Sequence, residues 1–413
     1  MRTKFRFILI FLFLTTSCSL FGQESSGVRL LGSIIGEWDD VCDVSYQYDY
    51  VFLATGSTGL QIVDVSDPED LEIVGSCDTH GDAKGITVVG DFAYVAAYRA
   101  GLIIIDVSNP EEPEEVGSCD TPGRAYSVDV WGDFAYVADA LSGLRKIDIT
   151  EPENPEEPER YGFCDTPGEA RDVAILGVYA YVADYGAGIR RICLYLMSED
   201  GYLITQHLVI GVAAMGDYVY VANGAGGLRI VRRMSESGFF DTRGNTSGLA
   251  VSGRYVYVAD GEEGLRVINT SEPENPLEVG FYDTPGEAKR VAVYGNTVYV
   301  ADGNNLGIYD VSGALDVSDD FSYIKPENFK LFTAYPNPFN TQTIIPFSLP
   351  NAMPTKLEVL DLNGRRVALL MNETLNAGDY RVAFNAKEII SGIYLYRLTA
   401  GSVIQTRKIV YIK

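Results

Sequence analysis

The chain is poor in the residues that most chemistry needs. Its 413 residues include two histidines, His80 and His207, and two tryptophans. The histidines fall in equivalent loops three repeat units apart, too far for a shared metal or a catalytic pair. Basic residues are also scarce, 32 Lys and Arg against 57 Asp and Glu, for a net charge of −25. Residues 1–23 carry +3 and residues 331–413 carry +4, which leaves −32 on the stretch between. A surface of that sign repels a phosphate backbone, so nucleic-acid binding is excluded. Long apolar runs are missing as well. Residues 7–14 form a short one that could not cross a bilayer as a mature helix, and no transmembrane helix is expected. Behind Arg2, Lys4 and Arg6, that run reads as the core of an export signal over residues 1–23. Cleavage falls between Ser19 and Gln23, or at Cys18 if the chain is anchored as a lipoprotein. No nucleophile elbow, phosphate loop or paired-cysteine metal motif occurs. The sequence therefore names no catalytic residue, no metal ligand and no cofactor.

What the chain has is tyrosine, glycine and β-branched residues, the composition of strands and tight turns. One pentapeptide recurs seven times, centred on Phe52, Tyr94, Tyr136, Tyr181, Tyr220, Tyr257 and Tyr299. Successive spacings of 42, 42, 45, 39, 37 and 42 are those of a four-stranded propeller blade. Within a unit, four strand-like runs a to d are joined by Gly-polar turns such as Gly90-Asp91, by Gly-rich loops such as 260–264, and by proline segments such as Ser66-Asp67-Pro68 and 272–276. Each unit is thus an antiparallel meander that buries both faces only by packing radially on its neighbours. Residues 28–33 match a d strand with no a, b or c strand before them, and the last unit stops at a c strand near Val311. The fold class is accordingly all-β: a seven-bladed propeller over residues 28–312, its last blade closed by the N-terminal strand.

The segments Gly264 to Asn269 and Gly59 to Val65 resemble the bacterial LVIVD repeats, and the resemblance covers residues 28–312. It implies a β-propeller on an exported protein, without a defined activity. Units four and five depart from it, because residues 193–207 replace the usual proline segments.

Residues 313–330 are expected to be a linker, and residues 331–413 a small Ig-like β-sandwich. Tyr335, Pro336, Asn337, Pro338 and Phe339, then Gly364-Arg365, Gly392 and Tyr394, and finally Arg407-Lys408, closely resemble the C-terminal sorting domain of type IX secretion cargo. That resemblance implies passage through the type IX machinery of a Bacteroidota-like bacterium, to the medium or the cell surface.

Two sets of residues are candidates for ligand contact. Asp139, Asp184, Asp260 and Asp302, with Asn223, end the b strands, and Asp78, Asp120, Asp165, Asp241 and Asp283 lie in the d-to-a loops at the same end of the blades. An acidic face of this kind could draw a cation. The simpler reading is that each b-strand Asp caps its own turn beside Arg145, Arg190, Arg229 or Arg266. Lys84, Arg171 and Lys289 take equivalent places at the mouth of the central channel, where they could hold an anion. Cys77, Cys119 and Cys164 share one d-strand position and are expected to be buried, reduced thiols, since outer strands of neighbouring blades splay beyond disulfide reach. The leading function is a non-catalytic binding or scaffold module for an extracellular protein or glycan. The alternatives are an extracellular lyase or hydrolase that uses the channel-mouth cations, or a purely structural spacer.

Overall fold

The computed structural model describes residues 25–315 and, further on, residues 330–331, 334, 339, 342–349, 353–361, 365–375, 378–386, 390–401 and 403–411. The export signal, Cys18, most of the 313–330 linker, and Tyr335, Pro336, Asn337, Pro338 and Gly364 lie outside the described residues. Among those described, no helix is long and apolar enough to cross a membrane.

Every repeat unit folds as a sheet of strands in the order a-b-c-d. The a strands are Asp43–Gln47, Gly85–Val89, Ser127–Trp131, Asp172–Leu176, Gly211–Met215, Gly248–Ser252 and Ala288–Tyr294, one for each of blades 1 to 7. Each packs against the a strands on either side of it, and the last packs against the first, so the ring is closed. Seven seams are also sewn by main-chain hydrogen bonds from the b-to-c turn of one blade to the segment entering the next. These include Gly56 N to Ala83 O (3.1 Å), Val209 N to Tyr185 O (3.1 Å) and, across the closure, Val41 N to Gly303 O (2.6 Å).

The closing strand stands where the sequence puts it. Arg29–Ile35 pairs antiparallel with Asn305–Asp310, with Ser33 opposite Gly307, and becomes the d strand of blade 7. One feature was not legible beforehand: Ser25–Ser26 adds a fifth strand outside Leu277–Tyr282 of blade 6. The first residues of the fold therefore bridge the last two blades. A short 3-10 turn, Ser312–Ala314, follows blade 7, and Ala314 and Leu315 are buried in the same core as Val28 and Tyr257.

The seams are packed by a repeated contact. In strand d a bulge glycine lies under the proline loop of the next blade, so that a Cβ at Gly75, Gly117 or Gly238 would stand within about 2 Å of the carbonyl oxygen of Pro110, Pro152 or Pro273. The prolines therefore do more than interrupt the ladder, because their loops close the outer seam.

Further on, strands Lys330–Leu331, Gln342–Leu349 and Gly378–Asn385 form one antiparallel sheet, and Met353–Leu360, Arg366–Leu375, Gly392–Ala400 and Val403–Tyr411 a second. Both contribute to a single core that includes Ile345, Phe347, Leu357, Val359, Tyr396 and Ile409. The sorting-motif residues serve that core and its edges. Phe339 is buried against Phe384 and Tyr411, with its N–H donated to Val410 O at 3.0 Å. Tyr394 Oη donates to Ile390 O at 2.7 Å, and Arg407 Nε donates to Leu331 O at 2.7 Å. Gly392 opens its strand, Arg365 N donates to Asp361 Oδ1 at 2.9 Å, and Lys408 is exposed on the last strand.

Candidate functional site

The two candidate sets part company in the structure. The b-strand carboxylates Asp139, Asp184, Asp260 and Asp302 are buried and are not surface decoration. Asp139, Asp184 and Asp260 take their side-chain hydrogen-bond partners from outside their own turns, whereas Asp302 also bonds within its turn, to Asn305. Each reaches to the loop entering its blade, where one oxygen accepts a threonine hydroxyl and the other a glycine N–H. Thr121 and Gly123 serve Asp139 at 2.7 and 2.8 Å, and Thr166 and Gly168 serve Asp184 at 2.6 and 2.9 Å. Thr242 and Gly244 serve Asp260 in the same way, and Thr284 and Gly286 serve Asp302. Burial pushes the carboxyls of Asp139, Asp184 and Asp302 above the usual range, although these donors pull the other way.

Arginines complete this clasp in blades 3, 4 and 6. Arg145, Arg190 and Arg266 place Nε 3.8, 3.5 and 4.0 Å from the aspartate, with Phe163, Tyr202 and Phe281 under the guanidinium. Arg229, whose blade carries Asn223, turns to Glu236 and the Phe239 ring instead. Carboxylates held this way are structural. A cation-binding acidic face is left to the loop aspartates, of which Asp78 and Asp165 are largely exposed. Among the described residues no group of His, Cys, Asp and Glu is arranged to hold a metal.

Lys84, Arg171 and Lys289, by contrast, are drawn into one arc around the channel mouth. Lys289 Nζ donates to Asp40 Oδ2 at 2.7 Å; Cys42 Sγ lies 3.7 Å from the same carboxylate and 3.8 Å from Lys84 Nζ. Lys84 continues to the Tyr98 ring at 5.9 Å, Tyr98 meets Tyr126 edge-on at 5.5 Å, and Arg171 lies 4.2 Å over Tyr126 and 5.0 Å over Tyr185. Arg124 covers Tyr98 from blade 3's entry loop at 5.4 Å. The arc thus alternates cations and rings from blade 7 round to blade 4. Each of the three cations also has its own carboxylate: Asp40 for Lys289, Asp82 for Lys84 at 4.0 Å, and Glu169 for Arg171 at 2.9 Å. On the far side, Ser247 Oγ is spent on the carbonyl oxygens of Ala288 and Lys289.

Two tyrosines of this arc, Tyr98 and Tyr185, are held under strain. At the first residue of the b-to-c turn the backbone is left-handed; blades 1, 5, 6 and 7 place Gly56, Gly224, Gly261 and Gly303 there, and blade 3 places Ala140 (φ 51°). Tyr98 (φ 49°) and Tyr185 (φ 46°) take the same conformation with bulky side chains, at a cost of about 1–3 kcal/mol each by the usual measure for such backbones.

Just inside the mouth lies a layer that the sequence reading missed. Arg290 Nη1 donates to Ser247 O at 2.5 Å, and the guanidinium stands 4.0 Å from Asp43 and 3.8 Å from Asp172. Asp43 also accepts from Ile86 N and Val44 N (both 2.9 Å), and Asp172 accepts from Val212 N (2.9 Å) and Ser127 Oγ (2.6 Å). These carboxylates staple neighbouring a strands to one another. Burial raises the Asp43 carboxyl to about 6 against the pull of Arg290 and the two amides. The signal was present in the aligned column Asp43, Gly85, Ser127, Asp172, Gly211, Gly248 and Arg290, one place after the channel-mouth column.

The described thiols are unpaired, but the expected burial of Cys77, Cys119 and Cys164 holds for one of the three. Cys42, Cys77, Cys119, Cys164 and Cys193 are all free, but only Cys164 is buried; Cys77 and Cys119 are half-buried because the d strand lies at the blade's outer edge. His80 and His207 stay in separate loops, with His80 near Asp78 and Glu115.

Comparison with known proteins agrees with this architecture. A family model described as LVIVD repeat matches residues 39–79, 80–121, 122–162, 167–189, 209–231, 243–284 and 285–318. A second, described as secretion system C-terminal sorting domain, matches residues 333–413. Among solved structures, the WD40 β-propeller domain of Doa1 is similar with a TM-score of 0.56 at 12% identity, over 69% of this chain and 97% of that one. The computationally designed Ika8 protein gives a TM-score of 0.53 at 9% identity, over 68% and 99%. At those identities the likeness is one of fold. No curated protein matches.

Proposed function

Because the chain belongs to the LVIVD-repeat family and ends in a type IX sorting domain that delivers it to the medium or the cell surface, we propose that its propeller is a non-catalytic binding module for an extracellular glycan or protein. The contact surface is the channel-mouth arc of Lys289, Lys84, Tyr98, Tyr126, Arg171 and Tyr185. One observation carries this reading: Tyr98 and Tyr185 keep a left-handed backbone that four other blades give to glycine and blade 3 gives to the small Ala140. A fold retains such strain where the side chain is needed at that spot. The cations support positioning over proton transfer, since each is already matched by a carboxylate at its side.

The test is binding of the exported protein to a glycan array and to proteins of the culture medium, against a Tyr98→Gly/Tyr185→Gly variant and an Arg171→Ala variant. Relief of backbone strain is expected to leave the glycine variant as stable as the parent or more so, while both variants lose at least tenfold in affinity. Turnover of a glycan or lactone that disappears in Lys84→Ala, Arg171→Ala or Lys289→Ala, with folding intact, would instead make the protein a lyase or hydrolase. Recovery of no partner at all would leave it a structural spacer.

A further inference from the structure

We propose a second site, at the other end of the blades: the seam between blades 4 and 5 binds an apolar carboxylate. The inference comes from a plug that the repeat supplies at six seams and withholds at one. The central residue of each b strand faces the next blade, where the residue following strand c covers it. Val65 and Tyr299 share one core, as do Val107 and Phe52, Ile149 and Tyr94, Leu194 and Tyr136, and Val311 and Tyr257. At the sixth seam Thr270 Oγ1 meets Tyr220 Oη at 3.5 Å. The covering residue is locked by its own N–H, as in Val107 N to Asp91 O (2.8 Å) and Thr270 N to Arg254 O (2.7 Å).

Blade 5 breaks the rule. Its covering position is Arg233, which is exposed and stands at φ 52° in a tight turn with Met234 (φ 60°). Tyr181, the residue it should cover, is the one of the seven central aromatics that is not buried. An open cavity of about 400 Å³ results, lined among others by Val178, Tyr179, Tyr181, Arg191, Asp217 and Arg233. That volume falls in the range of small-molecule sites and exceeds that of the missing aliphatic side chain.

The lining selects the ligand. Tyr181 and Val178 offer the apolar contact that Val, Ile or Leu makes elsewhere. Arg191 lies 4.8 Å over the Tyr179 ring, is tied through Nη2 to Asp200 and hydrogen-bonds the Tyr181 side chain, so that its charge sits on the wall with its donors largely engaged. The acid on the wall, Asp217, is engaged by Arg232 at 2.7 Å. The exposed guanidinium of Arg233, with the Arg191 charge on the same wall, thus stands beside an apolar hollow, which suits a branched aliphatic or aromatic group bearing a carboxylate. Such a group occurs as a free acid or as the C-terminal residue of a peptide.

Isothermal titration of the full exported chain with N-acetyl-leucinate, N-acetyl-leucinamide and an Ala-Ala-Leu peptide tests this. Saturable binding of the carboxylates is expected, at least tenfold tighter than that of the amide. Arg233→Asn keeps a residue tolerant of the left-handed turn, and with Arg191→Gln it is expected to weaken carboxylate binding at least tenfold, with the melting temperature unchanged for Arg233→Asn. Tighter binding of the peptide assigns the site to chain ends, and tighter binding of N-acetyl-leucinate to small acids. No binding of either carboxylate at millimolar concentration, equal binding of the amide, or wild-type affinity in both variants overturns the proposal. The Tyr98→Gly/Tyr185→Gly variant should bind these probes normally, which separates failure at this seam from failure at the channel mouth.

Discussion

Threonine 18 residues before the end of strand b has two possible partners, and the chain contains both outcomes. Where an aspartate ends the strand, the hydroxyl goes to it; where Ala97 or Asn223 stands there, Thr79 and Thr205 donate instead to Gly81 O and His207 O, both at 2.7 Å. The clasp therefore depends on the carboxylate more than on the hydroxyl. Asp184→Ala would strand Arg190, Thr166 and the Gly168 amide around a buried gap, and should cost about 3–5 kcal/mol, the usual penalty for breaking a buried pair. Thr166→Val should cost only about 1 kcal/mol, as for one hydrogen bond. Urea unfolding of the two variants checks the ratio; equal costs would mean that the aspartate does no more than its threonine. The clasp was hidden in the sequence because its partners stand 16 to 18 residues earlier, in the loop that enters the blade. An acidic residue before a turn ordinarily faces water, and nothing local signals that Asp139 or Asp184 is roofed by the incoming loop.

At the scale of the element, the blades were legible because their signals are local: alternating apolar residues, Gly-polar turns, and a marker aromatic every 37 to 45 residues. Strand ends and the a-b-c-d order follow from these alone. Contacts between blades were not legible, since they depend on which side of a strand a residue takes in a twisted sheet. The bulge glycine is an instance. Gly117 reads as an interruption of strand d, yet a Cβ there would stand 2.1 Å from the Pro152 carbonyl oxygen of the next blade. Gly117→Ala is therefore expected to lower the melting temperature by roughly 5–10 °C or to prevent folding, as an overpacked seam would. Gly90→Ala, where the added Cβ meets open space and only the left-handed backbone objects, should cost about 1 kcal/mol. Calorimetry of both variants separates the effects, and a milder loss for Gly117→Ala would argue against the seam contact. The same reasoning explains why units four and five looked irregular without disclosing a cavity: shortened c-to-d turns were visible, but the uncovered Tyr181 was not.

At the scale of the molecule, seven blades that each bury little alone share a continuous belt of seams, and the belt is stitched where residues 25–35 meet the last two blades. Arg29–Ile35 supplies the d strand of blade 7, and Ser25–Ser26 extends blade 6, so one segment holds the final two blades to the ring. The channel-mouth arc runs across this closure from Lys289 in blade 7 to Asp40 and Cys42 at the entry to blade 1. Closure and the proposed binding surface are thus one structure. Calorimetric unfolding of the exported chain beginning at Glu24, compared with a chain beginning at Gly36, tests this most directly. A closed ring should unfold its propeller in one cooperative transition, and removal of residues 24–35 should abolish that transition or lower it by more than 10 °C, with loss of binding at the channel mouth. Identical transitions and undiminished binding in the two chains would contradict a ring held shut by its N-terminal strand.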